Sequence, residues 1–294
     1  MAWLQLQMML EADEVLRVEA ALEAAGARSV TCCDAADHPL YDPDPLHPSR
    51  WPHTQLRALF PSDIDADAVR AVLTAALGRL PPHRFTPLAD RDWEREWLKD
   101  FKPMRFGRRL WIVPSAYAPP DSDAVNVRLD PGLAFGTGTH ATTALCLEWL
   151  DGADLAGKSV LDYGCGSGVL AIAAALLGAA RVHAVDNDAQ ALTATHENAL
   201  RNQVDAQIKI GPPDSLPAAA VDVVLANILA APLIELAPQF AQRLKPGGEL
   251  VLSGILADQD RDVRAACAPW FRFGPGTQRD GWRRLDARRK PERH

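Results

Sequence analysis

The chain has 294 residues, of which 48% are hydrophobic and 23% are charged, and its formal net charge is −7. This composition excludes a disordered chain and favours a packed globular protein with two unequal domains. The negative charge argues against a protein that neutralises phosphates, so we predict no stable nucleic acid partner.

Several features predict a cytoplasmic protein. Residues 1–10 lack a basic residue followed by a long apolar run, so no secretory signal is expected. The longest apolar stretch, residues 169–180, is too short to cross a bilayer, and no membrane association is predicted. The five cysteines form no CxxC pair, and the histidines have no metal-ligand spacing with them. We therefore expect reduced thiols and no bound metal.

Residues 1–89 have the pattern of a small α+β domain. The predicted strands are residues 3–9, 29–34, 55–60 and 84–88. The predicted helices are residues 11–25 and 63–77, the second of which is capped by Ser62 or Asp63 and followed by Gly78. A proline-rich loop is predicted at residues 38–52. The resulting order, β-α-β-β-α-β, is typical of a ferredoxin-like sandwich.

A charged segment with two tryptophans, residues 90–102, follows this region and is predicted to be a linker helix. Trp93 and Trp97 are four residues apart, so they would share one helix face. We favour packing of both rings against a domain over direct contact with a substrate.

Residues 103–294 alternate short apolar runs with helical patterns. The predicted strands are residues 159–163, 181–185, 221–226 and 249–253, the last of which follows the turn Pro246-Gly247-Gly248. The predicted helices are residues 144–150, 169–177, 189–202 and 231–244. This alternation predicts an α/β domain with a Rossmann-like, mixed and mostly parallel sheet that has helices on both faces.

The strongest motif is Asp162-Tyr163-Gly164-Cys165-Gly166-Ser167-Gly168, in which a predicted strand runs into three alternating glycines. Glycine lets the backbone turn sharply and lets a ligand approach where a Cβ would clash. In open α/β sheets, ligands bind beyond the carboxyl ends of the strands. The alternative is a tight turn without a ligand, which would need the same glycines.

An acidic residue, Asp186, ends the next predicted strand. Its carboxylate is placed to accept hydrogen bonds from both hydroxyls of a ribose. The alternative role is to cap the following helix, but Asp188 is available for that cap. The spacing GxGxG, in place of GxGxxG, favours a nucleoside without a pyrophosphate over a dinucleotide.

Two further segments point to the same edge of the sheet. Residues 130–143 are rich in glycine and threonine and are predicted to fold over a ligand. The alternative is a capping loop in which Thr142 or Thr143 begins a helix. Asn227 follows the strand at residues 221–226, where its amide could orient an amine, although an asparagine at a strand end is more often a turn former.

These four segments, with residues 93–97 and 101–107, resemble the family of methyltransferases that modify protein eleven of the large ribosomal subunit. The most specific pattern is residues 131–140 followed by Thr142-Thr143. Asn227-Ile228-Leu229-Ala230 stands where glutamine and adenine methyltransferases have Asn-Pro-Pro-aromatic. The resemblance covers residues 1–288. It implies contacts to the cofactor S-adenosylmethionine at Thr143, Gly164, Asp186 and Asn227, with Gly166 and Asp162 as neighbours and Asn227 as the catalytic residue.

The resemblance implies an enzyme that methylates lysine side chains and the N-terminal amine of ribosomal protein eleven by direct in-line displacement. It also implies that residues 1–89 recognise the substrate, that residues 103–294 bind the cofactor, and that the protein is a monomer. We interpret His140 as a loop residue and Cys165 as a small residue beside the cofactor. Two alternatives remain, namely a methyltransferase for a small amine, glutamine or RNA, and a non-catalytic adenosyl-binding module.

Overall fold

The computed structural model of the chain describes residues 3–34, 53–88, 101–130, 139–216 and 219–291. The contacts divide the chain into two compact units, Met1–Glu96 and Trp97–His294. The predicted linker helix lies outside the described residues except for Phe101 and Lys102, which are not helical. None of the helices in the described ranges is long and apolar enough to cross a bilayer.

The first unit contains a four-stranded antiparallel sheet and two helices. Its elements are β1 (Trp3–Glu11), α1 (Val15–Ala24), β2 (Ser29–Asp34), β3 (His53–Pro61), α2 (Ala66–Leu77) and β4 (His83–Leu88). The strands lie in the order β2-β3-β1-β4, and every neighbouring pair is antiparallel. Alternate residues of β1, namely Leu6, Met8 and Leu10, are buried in one apolar core with both helices, as the period of a half-buried strand requires.

The helix α2 begins later than predicted, because Asp65 caps it in place of Ser62 or Asp63. The Asp65 carboxylate accepts hydrogen bonds from the backbone N–H groups of Asp67 at 2.8 Å and Ala68 at 3.4 Å. These two groups belong to the first turn, where a helix has no carbonyl partners of its own.

We expect Asp65→Ala to lower the free energy of unfolding of the first unit by about 1 kcal/mol, because the first turn of α2 loses its acceptor. Asp63→Ala is the matched control, since Asp63 is exposed and lies outside the helix. Urea titrations followed by circular dichroism measure both variants. Equal destabilisation by the two substitutions would contradict the assignment of the cap.

The second unit contains a large mixed sheet and a small sheet. Its elements are β5 (Met104–Phe106), β6 (Leu110–Val113), β7 (Val125–Arg128), α3 (Ala141–Gly152), β8 (Ser159–Tyr163), α4 (Val169–Leu176), β9 (Arg181–Val185), α5 (Ala189–Arg201), β10 (Ile208–Gly211), β11 (Val221–Asn227), α6 (Ala230–Arg243), β12 (Leu244–Leu256), α7 (Asp260–Cys267), β13 (Phe271–Phe273), β14 (Thr277–Arg279) and β15 (Trp282–Arg289). The small sheet has the order β5-β6-β7.

The large sheet has the order β10-β9-β8-β11-β12-β15-β13, and β14 pairs with β15. The strands from β10 to β12 are parallel to their neighbours, whereas β15 is antiparallel to β12. The predicted mixed, mostly parallel sheet is therefore confirmed. From β8 the chain proceeds to one side through β9 and β10, and then to the other through β11 and β12. The loops diverge between β8 and β11, and such a switch point leaves a crevice for a ligand.

Both faces of the large sheet are covered by apolar side chains. One core joins residues such as Val160 and Val223 to buried residues of α3, α4 and α5. The other joins Leu161 and Val224 to buried residues of α6 and α7, among them the fully buried Phe240. Strands that are buried on both faces have nearly continuous apolar runs, which explains why β8, β9 and β11 match their predicted bounds within one residue.

Both predicted bounds of β12, which ends at Leu256 rather than Ser253, and the predicted start of α3 were wrong. Pro246-Gly247-Gly248 lies inside β12, which already begins at Leu244. Leu244 pairs with Val221, and the register then shifts before Glu249, so the turn-like residues form a bulge in a continuous strand. The start of α3 lies at Ala141, three residues before its predicted position.

Candidate active site

Two positions in the loop between β8 and α4 leave no room for a Cβ. Gly164 and Gly168 have φ angles of 78° and 80°. A Cβ on Gly164 would lie 2.3 Å from Cγ2 of Ile228, and one on Gly168 would lie 2.7 Å from Cγ2 of Thr195. The glycines therefore let the loop turn tightly at the end of β8, as their spacing predicts.

Asp186 follows β9, and its side chain is hydrogen-bonded to the glycine loop that follows β8. One carboxylate oxygen accepts a hydrogen bond from the N–H of Gly166 at 2.9 Å, and the other accepts one from the N–H of Asp188 at 3.0 Å. Asp188 caps α5 by accepting a hydrogen bond from the N–H of Gln190 at 2.8 Å, as predicted. Each oxygen of Asp186 keeps a second lone pair, so the carboxylate can also accept two hydrogen bonds from a ligand.

Asn227 is the last residue of β11, and a side chain of α3 orients its amide. The Nδ2 group donates a hydrogen bond to Oγ1 of Thr143 at 3.2 Å. Thr143 is fully buried, and the carbonyl of the preceding Thr142 accepts a hydrogen bond from the hydroxyl of Ser253 at 3.2 Å. Because the NH₂ group of Asn227 faces Thr143, its carbonyl oxygen Oδ1 is the atom left for a ligand.

The cap of α3 is His140, and neither Thr142 nor Thr143 has this role. Nδ1 of His140 accepts a hydrogen bond from the N–H of Thr142 at 3.4 Å and lies 2.8 Å from the Thr142 hydroxyl oxygen. The ring packs edge-on against Trp282, and burial lowers the pKa of His140. A neutral imidazole suits this position, since Nδ1 must remain an acceptor.

A cavity of about 530 Å³ opens at the switch point, beyond the carboxyl ends of β8, β9 and β11. Its lining includes five of the six predicted site residues, namely Thr143, Gly164, Gly166, Asp186 and Asn227. A cavity of this size is typical of a site for a small organic ligand.

The sixth predicted residue, Asp162, lies inside β8 and is not part of the cavity lining. Its side chain is fully buried, and one oxygen accepts a hydrogen bond from the N–H of Ala171 at 3.0 Å. The other oxygen has no hydrogen-bond partner among the described residues. Burial raises the pKa of this carboxyl to about 7, and the negative charge of Asp186 adds to the shift.

Cys165 lines the cavity as a small, unreactive side chain. Burial raises the pKa of its thiol to about 12, and the hydroxyl of Thr195 lies 3.3 Å from the sulfur. The thiol is therefore neutral at physiological pH, whereas a nucleophilic cysteine would need a lowered pKa. Across the described part of the chain, no group of three or more His, Cys, Asp or Glu side chains could hold a metal ion.

Residues 2–290 match the family model of the ribosomal protein L11 methyltransferases (PrmA). The chain belongs to this family. The ribosomal protein L11 methyltransferase of Azotobacter vinelandii is 54% identical over 292 residues, which cover 99% of this chain and 100% of the relative. The protein of the same name from Pseudomonas aeruginosa strain LESB58 is 52% identical, with the same coverage.

A solved structure of the same family agrees with this assignment. The crystal structure of the ribosomal protein L11 methylase from Lactobacillus delbrueckii subsp. bulgaricus has 35% sequence identity and a TM-score of 0.60. The match covers 65% of this chain and 100% of that chain.

Sequence reasoning missed the wall that α6 contributes to the cavity of this family member. Pro232, Glu235 and Leu236 line the cavity, together with Pro213 from the loop after β10. Because the three residues of α6 are spaced by three and four positions, they share one helix face. The periodicity of α6 indicates that face, but only the tertiary structure places it beside the cavity.

Proposed function

We propose that the chain is an S-adenosylmethionine-dependent N-methyltransferase that acts on ribosomal protein L11. The observation that carries this proposal is the placement of Asp186 and Asn227 around one cavity, at the carboxyl ends of the two strands that flank β8. Asp186 presents a carboxylate suited to two ribose hydroxyls, and Asn227 presents an amide oxygen suited to an amine. The glycine loop lies on the strand between them.

The residues of the cavity fit S-adenosylmethionine. The free lone pairs of Asp186 match the two hydroxyl donors of its ribose. Gly164, where a Cβ would collide with Ile228, contributes only backbone to the wall. Thr143 adds a hydroxyl on the α3 side of the cavity.

When bound, S-adenosylmethionine supplies a methyl group that is activated by a positively charged sulfur. The protein has to align the nucleophile with this group, because alignment lowers the entropic barrier to displacement. In our proposal, Oδ1 of Asn227 accepts one N–H of the target amine and directs the nitrogen lone pair. Thr143 prevents rotation of the amide by accepting the hydrogen bond from Nδ2.

The target amine must lose its proton before it can attack, since free lysine has a pKa of about 10.4. Apolar walls disfavour the charged ammonium form, and Val169, Leu170 and Ile228 supply such walls. We propose that the loop at residues 135–143 adds to this desolvation. Residues 135–138 of that loop lie outside the described part of the chain.

We also propose that the first unit has the ferredoxin-like fold and recognises the substrate, and that the protein acts as a monomer. The β-α-β-β-α-β order and the antiparallel arrangement β2-β3-β1-β4 support the fold. Recognition by a separate unit would let several lysine side chains and the N-terminal amine of one protein reach a single active site.

Incubation of the protein with radiolabelled S-adenosylmethionine and free ribosomal protein L11 tests the proposal. We expect transfer of the label to lysine side chains and to the N-terminal amine, which mass spectrometry of the peptides would locate. Binding of the donor without transfer would indicate a non-catalytic adenosyl-binding module. Transfer only to RNA, glutamine or a small amine would indicate another substrate.

We expect Asp186→Asn to weaken the binding of S-adenosylhomocysteine about 30- to 100-fold, because charge-assisted hydrogen bonds to the ribose are lost. Isothermal titration calorimetry measures this affinity. Asp188→Asn is the matched control, since Asp188 is a neighbouring carboxylate that caps α5. A loss of less than about threefold for Asp186→Asn would argue against ribose binding by this residue.

A further inference from the structure

We infer that Thr195 and Asn198 of α5 are positioning residues for the methyl donor, because they hold the glycine loop, residues 164–168, in the conformation that binds it. Neither side chain is among the described residues that line the cavity. The inference rests on the proposed function, since it assigns to α5 the support of the same site. None of the sequence motifs indicates this role.

The glycine loop cannot fix its own conformation. Gly166, the middle glycine, has a φ angle of 55°. Glycine reaches this left-handed region readily, but its backbone reaches many other regions as readily. The loop therefore depends on contacts from outside it to keep the one conformation that the cavity requires.

Two side chains of α5 supply such contacts to consecutive carbonyl groups of the loop. Oγ1 of Thr195 donates a hydrogen bond to the carbonyl oxygen of Gly166 at 2.9 Å, and Nδ2 of Asn198 donates one to that of Ser167 at 2.9 Å. The two donors are three positions apart, so they share one helix face. Both side chains are buried, and the loss of a buried donor leaves its acceptor without a partner.

The hydroxyl of Thr195 does not make the usual bond of a threonine within a helix. The exposed Thr193 of the same helix does make it, because its hydroxyl donates to the carbonyl oxygen of Ala189 at 3.0 Å. The methyl group of Thr195 also faces the loop, since a Cβ on Gly168 would lie 2.7 Å from its Cγ2 atom. Both branches of the Thr195 side chain therefore meet the glycine loop.

Gly166 connects Thr195 to the carboxylate that we propose for the ribose. Its N–H donates a hydrogen bond to Asp186 at 2.9 Å, while its carbonyl oxygen accepts the one from Thr195. Without the bond from Thr195, the loop would populate conformations in which Gly166 has left Asp186. Such molecules must regain the original conformation before they bind, so the apparent affinity falls in proportion to the fraction that still has it.

Isothermal titration calorimetry of the full chain with S-adenosylhomocysteine tests this inference. We expect Thr195→Val to raise Kd about tenfold with an unchanged stoichiometry, because the loss of one buried hydrogen bond shifts the loop equilibrium by about that factor. Thr195→Ser keeps the hydroxyl and should stay within about threefold of the wild-type Kd. Thr193→Val is the matched control and should bind like the wild type, since the hydroxyl of Thr193 bonds within α5.

The stoichiometry separates positioning from a folding defect. A variant that only folds poorly would bind fewer equivalents of the ligand, and its remaining sites would keep the wild-type Kd. Asn198→Asp provides a second measurement, because it removes the donor to Ser167 and keeps an oxygen that can accept the hydrogen bond from Arg201. This variant should also raise Kd about tenfold.

A wild-type Kd in both Thr195→Val and Asn198→Asp would overturn the inference and leave the proposed function intact. Equal weakening by Thr195→Val and Thr195→Ser would also overturn it, because packing of the methyl group would then explain the effect. Failure of the wild-type protein to bind S-adenosylhomocysteine would instead refute the proposed function together with the inference.

Discussion

Replacing Asn227 with alanine is expected to lower kcat by about 10²- to 10³-fold, because the target amine loses the group that orients its lone pair. The affinity for S-adenosylhomocysteine should change far less, since Asp186 and the glycine loop remain. Initial rates with radiolabelled donor and ribosomal protein L11 measure kcat, and calorimetry measures the affinity. A large loss of kcat with little change in the affinity for S-adenosylhomocysteine would show that Asn227 aligns the amine and does not mainly bind the donor.

The variants Asn227→Asp and Thr143→Ala test separately the roles of the Oδ1 atom and of the NH₂ group of Asn227. Asn227→Asp keeps a carboxyl oxygen near the position of Oδ1 but removes the NH₂ group that Thr143 accepts from. Thr143→Ala keeps the amide and lets it rotate. Both variants should retain more activity than Asn227→Ala. Retention of more than about a tenth of the wild-type kcat by Asn227→Ala would refute the orienting role.

The strands around the site could be predicted because a strand that is buried on both faces has a nearly continuous run of apolar residues in the sequence. β8, β9 and β11 are short, mostly apolar runs, and each one ends at a glycine or a polar residue, namely Gly164, Asp186 and Asn227. In a parallel sheet their carboxyl ends meet at one edge. Asp186 and Asn227 could therefore be assigned to the same cavity from their positions in the sequence alone.

Features that depend on contacts between distant segments could not be predicted in this way. The small sheet is an example, because a side chain of α3 forms hydrogen bonds with the backbone between β5 and β6. The carboxylate of Asp151 accepts hydrogen bonds from the backbone N–H groups of Arg108 at 2.7 Å and Arg109 at 2.9 Å. A Cβ on Gly107 would lie 2.2 Å from that carboxylate. The strands β5 and β6 on either side are only three and four residues long, so local periodicity carries little information about them.

For Asp162, the position in the fold could be predicted from the sequence, but the environment of the side chain could not. Its place in β8 follows from the apolar run, and its position before the glycines suggests a neighbour of the ligand. The environment of its carboxyl group depends on tertiary packing, which leaves one oxygen without a partner among the described residues. That environment determines the charge of the group at neutral pH.

We therefore expect the stability of the second unit to depend on pH through Asp162. Its pKa is about 7 in the folded protein, compared with an ordinary value of 3.8. Below pH 4 the carboxyl is protonated in both states. Between pH 4 and pH 7 the unfolded chain releases this proton while the folded protein retains it, so the free energy of unfolding falls as the pH rises. Above pH 7 both states are ionised and the dependence ends.

Asp162→Asn removes this titration and keeps an oxygen that can accept the hydrogen bond from Ala171. The stability of the variant relative to the wild type should therefore rise by up to about 4 kcal/mol between pH 4 and pH 8. Urea unfolding at several pH values measures the difference. The exposed Asp258 provides the control, because Asp258→Asn should follow the wild-type curve across this range. If the Asp162→Asn curve also stayed parallel to the wild type, the carboxyl would be ionised in the folded protein at pH 5, and some other group would have to compensate its buried charge.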